Sequence, residues 1–126
     1  MLMRRLAGAI GLAMVALAAP AAAEVRLLMI EAPGCPWCAR WHAEVGDAYP
    51  LTPEGRIAPL ARADKGHLPP EVVLEGPAVF TPTFVLLHDN AEVGRIEGYP
   101  GEDFFWPLLG GLIATLPEAS RKDPGS

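Results

Sequence analysis

The chain has 126 residues, of which 10 are basic and 15 acidic, and its net charge at pH 7 is −5. A chain of this length has room for one small domain, and its acidity argues against nucleic acid or an anionic membrane surface as a partner. Both of its cysteines, Cys35 and Cys38, lie in the single stretch EAPGCPWCARW.

The first residues have the pattern of an export signal. Arg4 and Arg5 precede an apolar run that extends from Leu6 to Ala19, and Ala21–Ala23 supply the small residues that a signal peptidase requires. The run is short against the ~20 residues that cross a bilayer, although an uncleaved membrane anchor is the alternative. We therefore predict a signal peptide at residues 1–23. Its removal takes two of the ten basic residues and leaves a mature chain with a net charge of −7.

The next segment predicts a strand, a turn and a helix. VRLLMIE (25–31) is an apolar run typical of a buried strand. Pro36 suits the first position of a helix, where no amide donor is needed. Apolar side chains then recur at helical spacing and predict a helix from about Pro36 to Asp47. Cys35 would therefore lie at a helix N-terminus.

The remaining elements complete one domain at residues 24–117. Thr52 is a candidate cap for a short helix that opens at Pro53 and ends at Gly55, and IAPLARA (57–63) is a candidate edge strand. TPTFVLLH and EVGRIEG predict a hairpin, with the three residues Asp89, Asn90 and Ala91 at its turn. The segment 99–116 predicts an amphipathic helix with Pro107 inside it, and 118–126 predicts a flexible tail.

The spacing of the two cysteines leaves three roles to consider. A structural staple is disfavoured, because two intervening residues close too short a loop to restrict the unfolded chain much. A metal half-site is possible, because His42 follows Cys38 by four residues, but no other cysteine exists and neither His67 nor His88 is spaced to complete it. Exported thiols tend to oxidise, which favours a redox pair. We predict thiol–disulfide exchange, with no metal and no cofactor.

Several stretches together resemble a known family. GCPWC at the strand–helix turn, TPTFVL about 45 residues further on and EGYPG before the last helix resemble the thioredoxin superfamily. PGCPWCARWHAE, YPLTPEGR, FTPTFVL and EGYPGEDFFWPLL resemble, within it, the periplasmic thioredoxins of bacterial sulfur-oxidation (Sox) systems. The resemblance implies an α/β thioredoxin-like fold. Its central mixed β-sheet would be flanked by helices, with the CxxC motif at the N-terminus of the first helix.

The resemblance and the expected geometry assign roles at the site. Cys35 would attack the substrate, because the helix N-terminus favours its thiolate, and Cys38 would resolve the mixed disulfide. Pro36 would stiffen the turn, and Trp37 would offer an apolar surface to a partner, unless it is an ordinary core residue. In the family a cis proline faces the cysteines and the backbone of the preceding residue binds the substrate, which implies these roles for Pro82 and Thr81.

One position departs from the family pattern. Thioredoxins carry a buried carboxylate six residues before the first cysteine, and this chain has Met29 there. Proton transfer at Cys38 would then use Glu31, water or no dedicated base.

The resemblance also implies a function. We expect a monomeric periplasmic reductant of a protein disulfide or mixed disulfide, with the cysteine of the Sox sulfur-carrier protein as its target. Its electrons would come from a membrane thiol transporter, and nucleic acid is not an expected partner. The alternatives are a general disulfide donor or isomerase, and a CxxC metal-binding chaperone.

Overall fold

A computed structural model describes residues 7–16 and 23–125 of the chain. Residues 1–6 and 17–22 of the predicted signal peptide lie outside the described residues, so this prediction continues to rest on the sequence. The described part of it, residues 7–16, is exposed and forms no regular element.

The centre of the described domain is a mixed four-stranded sheet. Its strands are β1 (Val25–Glu31), β2 (Leu60–Asp64), β3 (Thr83–His88) and β4 (Ala91–Glu97), in the spatial order β2-β1-β3-β4. β2 runs parallel to β1, whereas β3 is antiparallel to both β1 and β4. The predicted fold class, the buried first strand, the edge position of β2 and the hairpin are confirmed.

The helices are α1 (Pro36–Trp41), α2 (Pro53–Ile57) and α3 (Glu102–Ile113). After α1 the chain continues as a π-helical turn, His42–Gly46, so the helix predicted over 36–47 changes its winding midway. Pro107 lies inside α3, as expected.

The start of α2 was predicted correctly and its end was not. Thr52 Oγ1 accepts a hydrogen bond from the Gly55 N–H at 3.0 Å, which confirms the cap. The helix nevertheless continues past Gly55 to Ile57. Gly55 is buried against the carbonyl of Tyr49, and a Cβ at this position would overlap that oxygen. This glycine therefore permits close packing, and it does not end the helix.

Each face of the sheet has its own apolar cluster. The larger cluster joins alternate residues of β1 and β3 to the helices, and its largest members are Trp41, Tyr49, Phe84 and Phe105. The smaller cluster lies on the other face, where Leu28, Ile30, Val85 and Leu87 are covered by Ala78 and by the partly buried side chains of the segment 72–74. Helices therefore pack on one face, and an extended segment covers the other.

Residues 72–79, which include that segment, are tied to β4 by backbone hydrogen bonds at Val73 and by a buried ion pair within β4. Arg95 binds the Glu92 carboxylate at 2.7 Å and donates to the carbonyls of Gly76 and Pro77 at 2.8 and 3.0 Å. Glu92 also accepts the Glu75 N–H at 2.9 Å. Since the segment leads directly into the Thr81–Pro82 turn, these bonds position that turn against the sheet.

We expect Glu92→Gln to destabilise the protein by about 1–3 kcal/mol, because it weakens a buried hydrogen-bond network. The bonds from Arg95 hold the pKa of Glu92 below its ordinary value. The contribution of this carboxylate to the free energy of unfolding is therefore fully present above the ordinary glutamate pKa of ~4.3. It is lost as the pH falls through the lower pKa that Glu92 has in the folded protein. Urea unfolding at several pH values should show that the unfolding free energies of the wild type and of Glu92→Gln become equal in acid.

The control for this experiment is Glu97→Gln. Glu97 lies 3.8 Å from Arg95, and half of its side chain is exposed. The change should alter the unfolding free energy by less than about 0.5 kcal/mol. If the difference in unfolding free energy between Glu92→Gln and the wild type does not become smaller in acid, the ionised carboxylate of Glu92 does not stabilise the protein as described.

An ion pair joins the C-terminal segment to the domain. Arg56 binds Asp123 through two nitrogens, at distances of 2.8 to 3.1 Å. The flexibility of the 118–126 tail stays a prediction.

Candidate active site

The two cysteines lie where β1 passes into α1. Gly34 adopts a left-handed φ of 71°, which a residue with a side chain rarely does, and Cys35 follows as the N-cap of α1. Pro36 occupies the first helical position, as predicted. Cys35 and Cys38 form a disulfide bond.

The environments of the two sulfurs differ. The Sγ of Cys35 accepts a hydrogen bond from the Cys38 N–H at 3.1 Å, and Cys35 is partly exposed. Cys38 is only 4% exposed and belongs to the larger core cluster, together with Met29. The hydrogen-bond donor and the open side both favour Cys35 as the sulfur that meets a partner.

Trp37 and Thr81 are brought together in one groove. This groove has a volume of about 310 Å³ and is lined by Trp37, Phe80, Thr81, Glu97, Gly98, Tyr99 and Pro100. Trp37 is 52% exposed, so it is not an ordinary core residue. Its ring also lies under the guanidinium of Arg40, 5.5 Å from the ring centroid.

The Thr81–Pro82 peptide bond is cis, as the resemblance implied. Pro82 is buried, and its carbonyl accepts the Gly98 N–H at 2.7 Å. The turn is further closed by Thr83 Oγ1, which donates to the carbonyl of Phe80. Thr81 is partly exposed at the groove.

Phe80 was not predicted to be a site residue. Its ring is 57% exposed and lies in the same groove as Trp37. Exposed aromatic side chains of this kind are enriched where proteins bind one another. The available signal was an aromatic residue directly before the Thr-Pro turn, but exposure cannot be read from one residue type.

A second cleft, of about 450 Å³, is lined by both cysteines. Glu31, a candidate for proton transfer from the sequence, and His42, weighed there as a metal ligand, also line it. His42 Nε2 and Glu31 Oε1 are 2.6 Å apart, and Arg62 Nε donates to Glu31 Oε2 at 2.6 Å. Partial burial of Glu31 opposes ionisation, but the bonds from Arg62 and His42 outweigh it and lower the pKa of this carboxyl.

The metal alternative gains no support from the described residues. Within residues 7–16 and 23–125, no group of three or more histidine, cysteine or acidic side chains is arranged to hold a metal ion. Nor does any helix in these ranges combine the length and apolar character needed to cross a membrane.

Comparison with known proteins places this geometry in a family. No family model matches the chain, and no curated protein matches it. A solved structure does match: the periplasmic thioredoxin SoxS from Paracoccus pantotrophus, in its reduced form. The sequence identity is 59% and the TM-score is 0.71, with 72% of this chain and 97% of that chain covered.

A relative so similar over nearly its whole length shows the family. Together with the disulfide at the start of α1, it establishes the chemistry of the cysteine pair. The chain belongs to the thioredoxin family, as a relative of SoxS, and is a thiol–disulfide oxidoreductase.

Proposed function

We propose that the protein is a periplasmic reductant that opens a disulfide or mixed disulfide on a protein substrate. The observation that carries this proposal is the asymmetry of the cysteine pair. The Sγ of Cys35 is partly exposed and receives an amide hydrogen bond, whereas Cys38 is buried behind it. Such an arrangement suits one attacking and one resolving sulfur.

The reaction proceeds in two exchanges. In the first, the thiolate of Cys35 attacks one sulfur of the substrate disulfide, and the other substrate sulfur leaves with the electron pair. In the second, the thiolate of Cys38 attacks Cys35 and releases the remaining substrate sulfur. The substrate ends with two thiols, or with one thiol and a released group, and the Cys35–Cys38 bond is formed.

Trp37, Thr81 and Pro82 are the substrate-binding residues of this proposal, and Pro36 supports the turn. Thr81 would pair its backbone with an extended segment of the partner, because this residue lines the groove and is partly exposed. Trp37 would cover the apolar side of that segment, opposite Phe80.

The periplasm is proposed as the location because the relative is named as a periplasmic thioredoxin. The signal peptide at 1–23 would direct export, and cleavage would leave the domain at 24–117 with its tail. A membrane thiol transporter would return electrons to the oxidised pair, since reduction in an oxidising compartment needs a supply from outside it.

The proposed substrate is the sulfur-carrier protein of thiosulfate oxidation, whose cysteine the enzyme would keep free. The name of the relative and the Sox-like stretches of the sequence support this partner. We propose that the protein acts as a monomer, because one cysteine pair is enough to reduce one disulfide at a time.

Replacing Cys38 by Ser tests the partner. The first exchange should proceed and the second should stop, so that a mixed disulfide between Cys35 and the substrate accumulates. We expect mass spectrometry of trapped adducts from the periplasm to identify the carrier protein, joined through its reactive cysteine. The Cys35→Ser protein is the control and should trap nothing. Adducts composed of unrelated folding proteins would instead indicate a general donor or isomerase.

A further inference from the structure

The second exchange requires a base that the proposed roles of the cysteines do not supply. Cys38 must lose its proton before it can attack Cys35, and burial in apolar surroundings disfavours a thiolate. The side chains packed around Cys38 in the core cluster are apolar, and Met29 is among them. The proton must therefore leave on the side of the cleft that both sulfurs line.

That cleft contains one imidazole. His42 follows Cys38 by four residues, and its backbone N–H donates to the carbonyls of Cys38 and Ala39, so the side chains of His42 and Cys38 project from the same side of the helical segment. His42 is partly exposed to the cleft, and its Nε2 is occupied by Glu31. Histidine is the side chain that ordinarily changes charge between pH 5 and 8, which suits it to exchange a proton with a thiol.

We propose that His42 accepts the proton of Cys38, through water in the cleft, and that Glu31 positions the imidazole and stabilises its charged form. The proton moves from the thiol to Nδ1 of the imidazole, because Nε2 donates its own hydrogen to the Glu31 carboxylate. The Cys38 thiolate then attacks Cys35, the bond from Cys35 to the substrate breaks, and the substrate sulfur leaves as a thiolate. His42 returns its proton to this leaving thiolate or to water, so charge and atoms balance.

The contacts of Glu31 and His42 explain why His42 accepts the proton and Glu31 positions it. Glu31 is held ionised by two bonds from Arg62, at 2.6 and 3.2 Å, in addition to the one from His42. Such a carboxylate is a weak base, but it is a good partner for an imidazolium. From the other sides, His42 meets the Trp41 ring edge-on at 5.2 Å, and its Nδ1 lies 3.4 Å from the position that a Cβ on Gly46 would occupy. Glu31 and His42 are the only ionisable side chains, apart from the cysteines, that line this cleft in the described ranges.

The experiment separates the two exchanges. Reduced protein is mixed with oxidised glutathione, quenched with acid at successive times and analysed by mass spectrometry. The mass resolves the reduced, glutathionylated and disulfide forms. We expect His42→Gln to slow the second exchange at least about 10-fold at pH 7, as loss of a proton-transfer group does. The first exchange should change less than about 2-fold. The pH dependence of the second exchange should change in this variant, whereas that of the first exchange should not.

Two further variants distinguish proton acceptance from a structural role. Free imidazole should restore the second exchange in His42→Ala in proportion to its concentration. Glu31→Gln should slow the second exchange and leave the first within about 2-fold of the wild-type rate, because the imidazole loses the carboxylate that positions it. His67→Gln is the matched control, since its side chain is 92% exposed and lies outside the cleft, and it should behave as wild type.

The inference is overturned if His42→Gln closes the disulfide at the wild-type rate with the same pH profile. It is equally overturned if both exchanges slow alike and imidazole restores neither, since His42 would then be structural. The inference rests on the proposed roles of Cys35 and Cys38. A wild-type protein that forms no mixed disulfide at Cys35 would refute those roles, and this outcome is distinguishable from the others.

Discussion

Replacing Cys35 by Ser should reduce disulfide reduction at least about 10³-fold, the scale on which loss of a catalytic nucleophile is felt. A serine hydroxyl does not ionise near neutral pH, so the amide of Cys38 and the start of α1 would have no thiolate to stabilise. Cys38 cannot substitute, because it is 4% exposed. The loss can be measured by the reduction of insulin, with a soluble dithiol as the electron donor.

The companion variant for this prediction is Cys38→Ser. It should retain the first exchange at close to the wild-type rate and lose turnover. Substantial turnover in Cys35→Ser would show that the buried sulfur reaches substrate. The assignment of the attacking and resolving roles would then be reversed.

Phe105→Ala should lower the unfolding free energy by about 3–5 kcal/mol, as removal of a fully buried aromatic side chain does. The Phe105 ring is 0% exposed, and its centroid lies 5.0 Å from that of Phe84 and 5.8 Å from that of Trp41. The change opens a cavity between α3 and the sheet. The melting temperature of a domain this size should fall by more than about 10 °C.

The adjacent residue provides the control. Phe104 precedes Phe105 on the same helix but is 65% exposed. Phe104→Ala should therefore change the unfolding free energy by less than about 0.5 kcal/mol, with a similar change in helix propensity. Equal effects of the two substitutions, in urea unfolding followed by circular dichroism, would mean that α3 does not pack as described.

The position of the cysteine pair was predictable because its causes are local. Apolar residues without helical gaps in β1, a turn with Gly34 and then Pro36 at a helix start all lie within a short stretch. The hairpin was equally predictable, because aspartate and asparagine tolerate the positive φ values that a tight turn requires. In the structure, Asp89 and Asn90 adopt φ values of 49° and 65°. The change from α- to π-helical winding at His42 had no such local signal.

The cleft beside the sulfurs was not predictable in the same way. Glu31 was considered as a proton acceptor, but Arg62 was not considered at all. Its guanidinium reaches Glu31 because β2 pairs in parallel with β1 in a register that places Arg62 beside Met29. The single sequence contains no information on that register beyond alternating apolar residues.

The sequence by itself determined the chemistry and its place in the chain: two cysteines, a helix start and a Thr-Pro turn, each specified by residues within a few positions of one another. Only the tertiary structure decided what surrounds the sulfurs. The pairing of β2 with β1 brought Arg62 to Glu31, and the packing of residues 72–79 on the sheet brought Phe80 into the same groove as Trp37. Such contacts join residues far apart in the chain, and their geometry depends on strand register and core packing, which residue types alone do not specify.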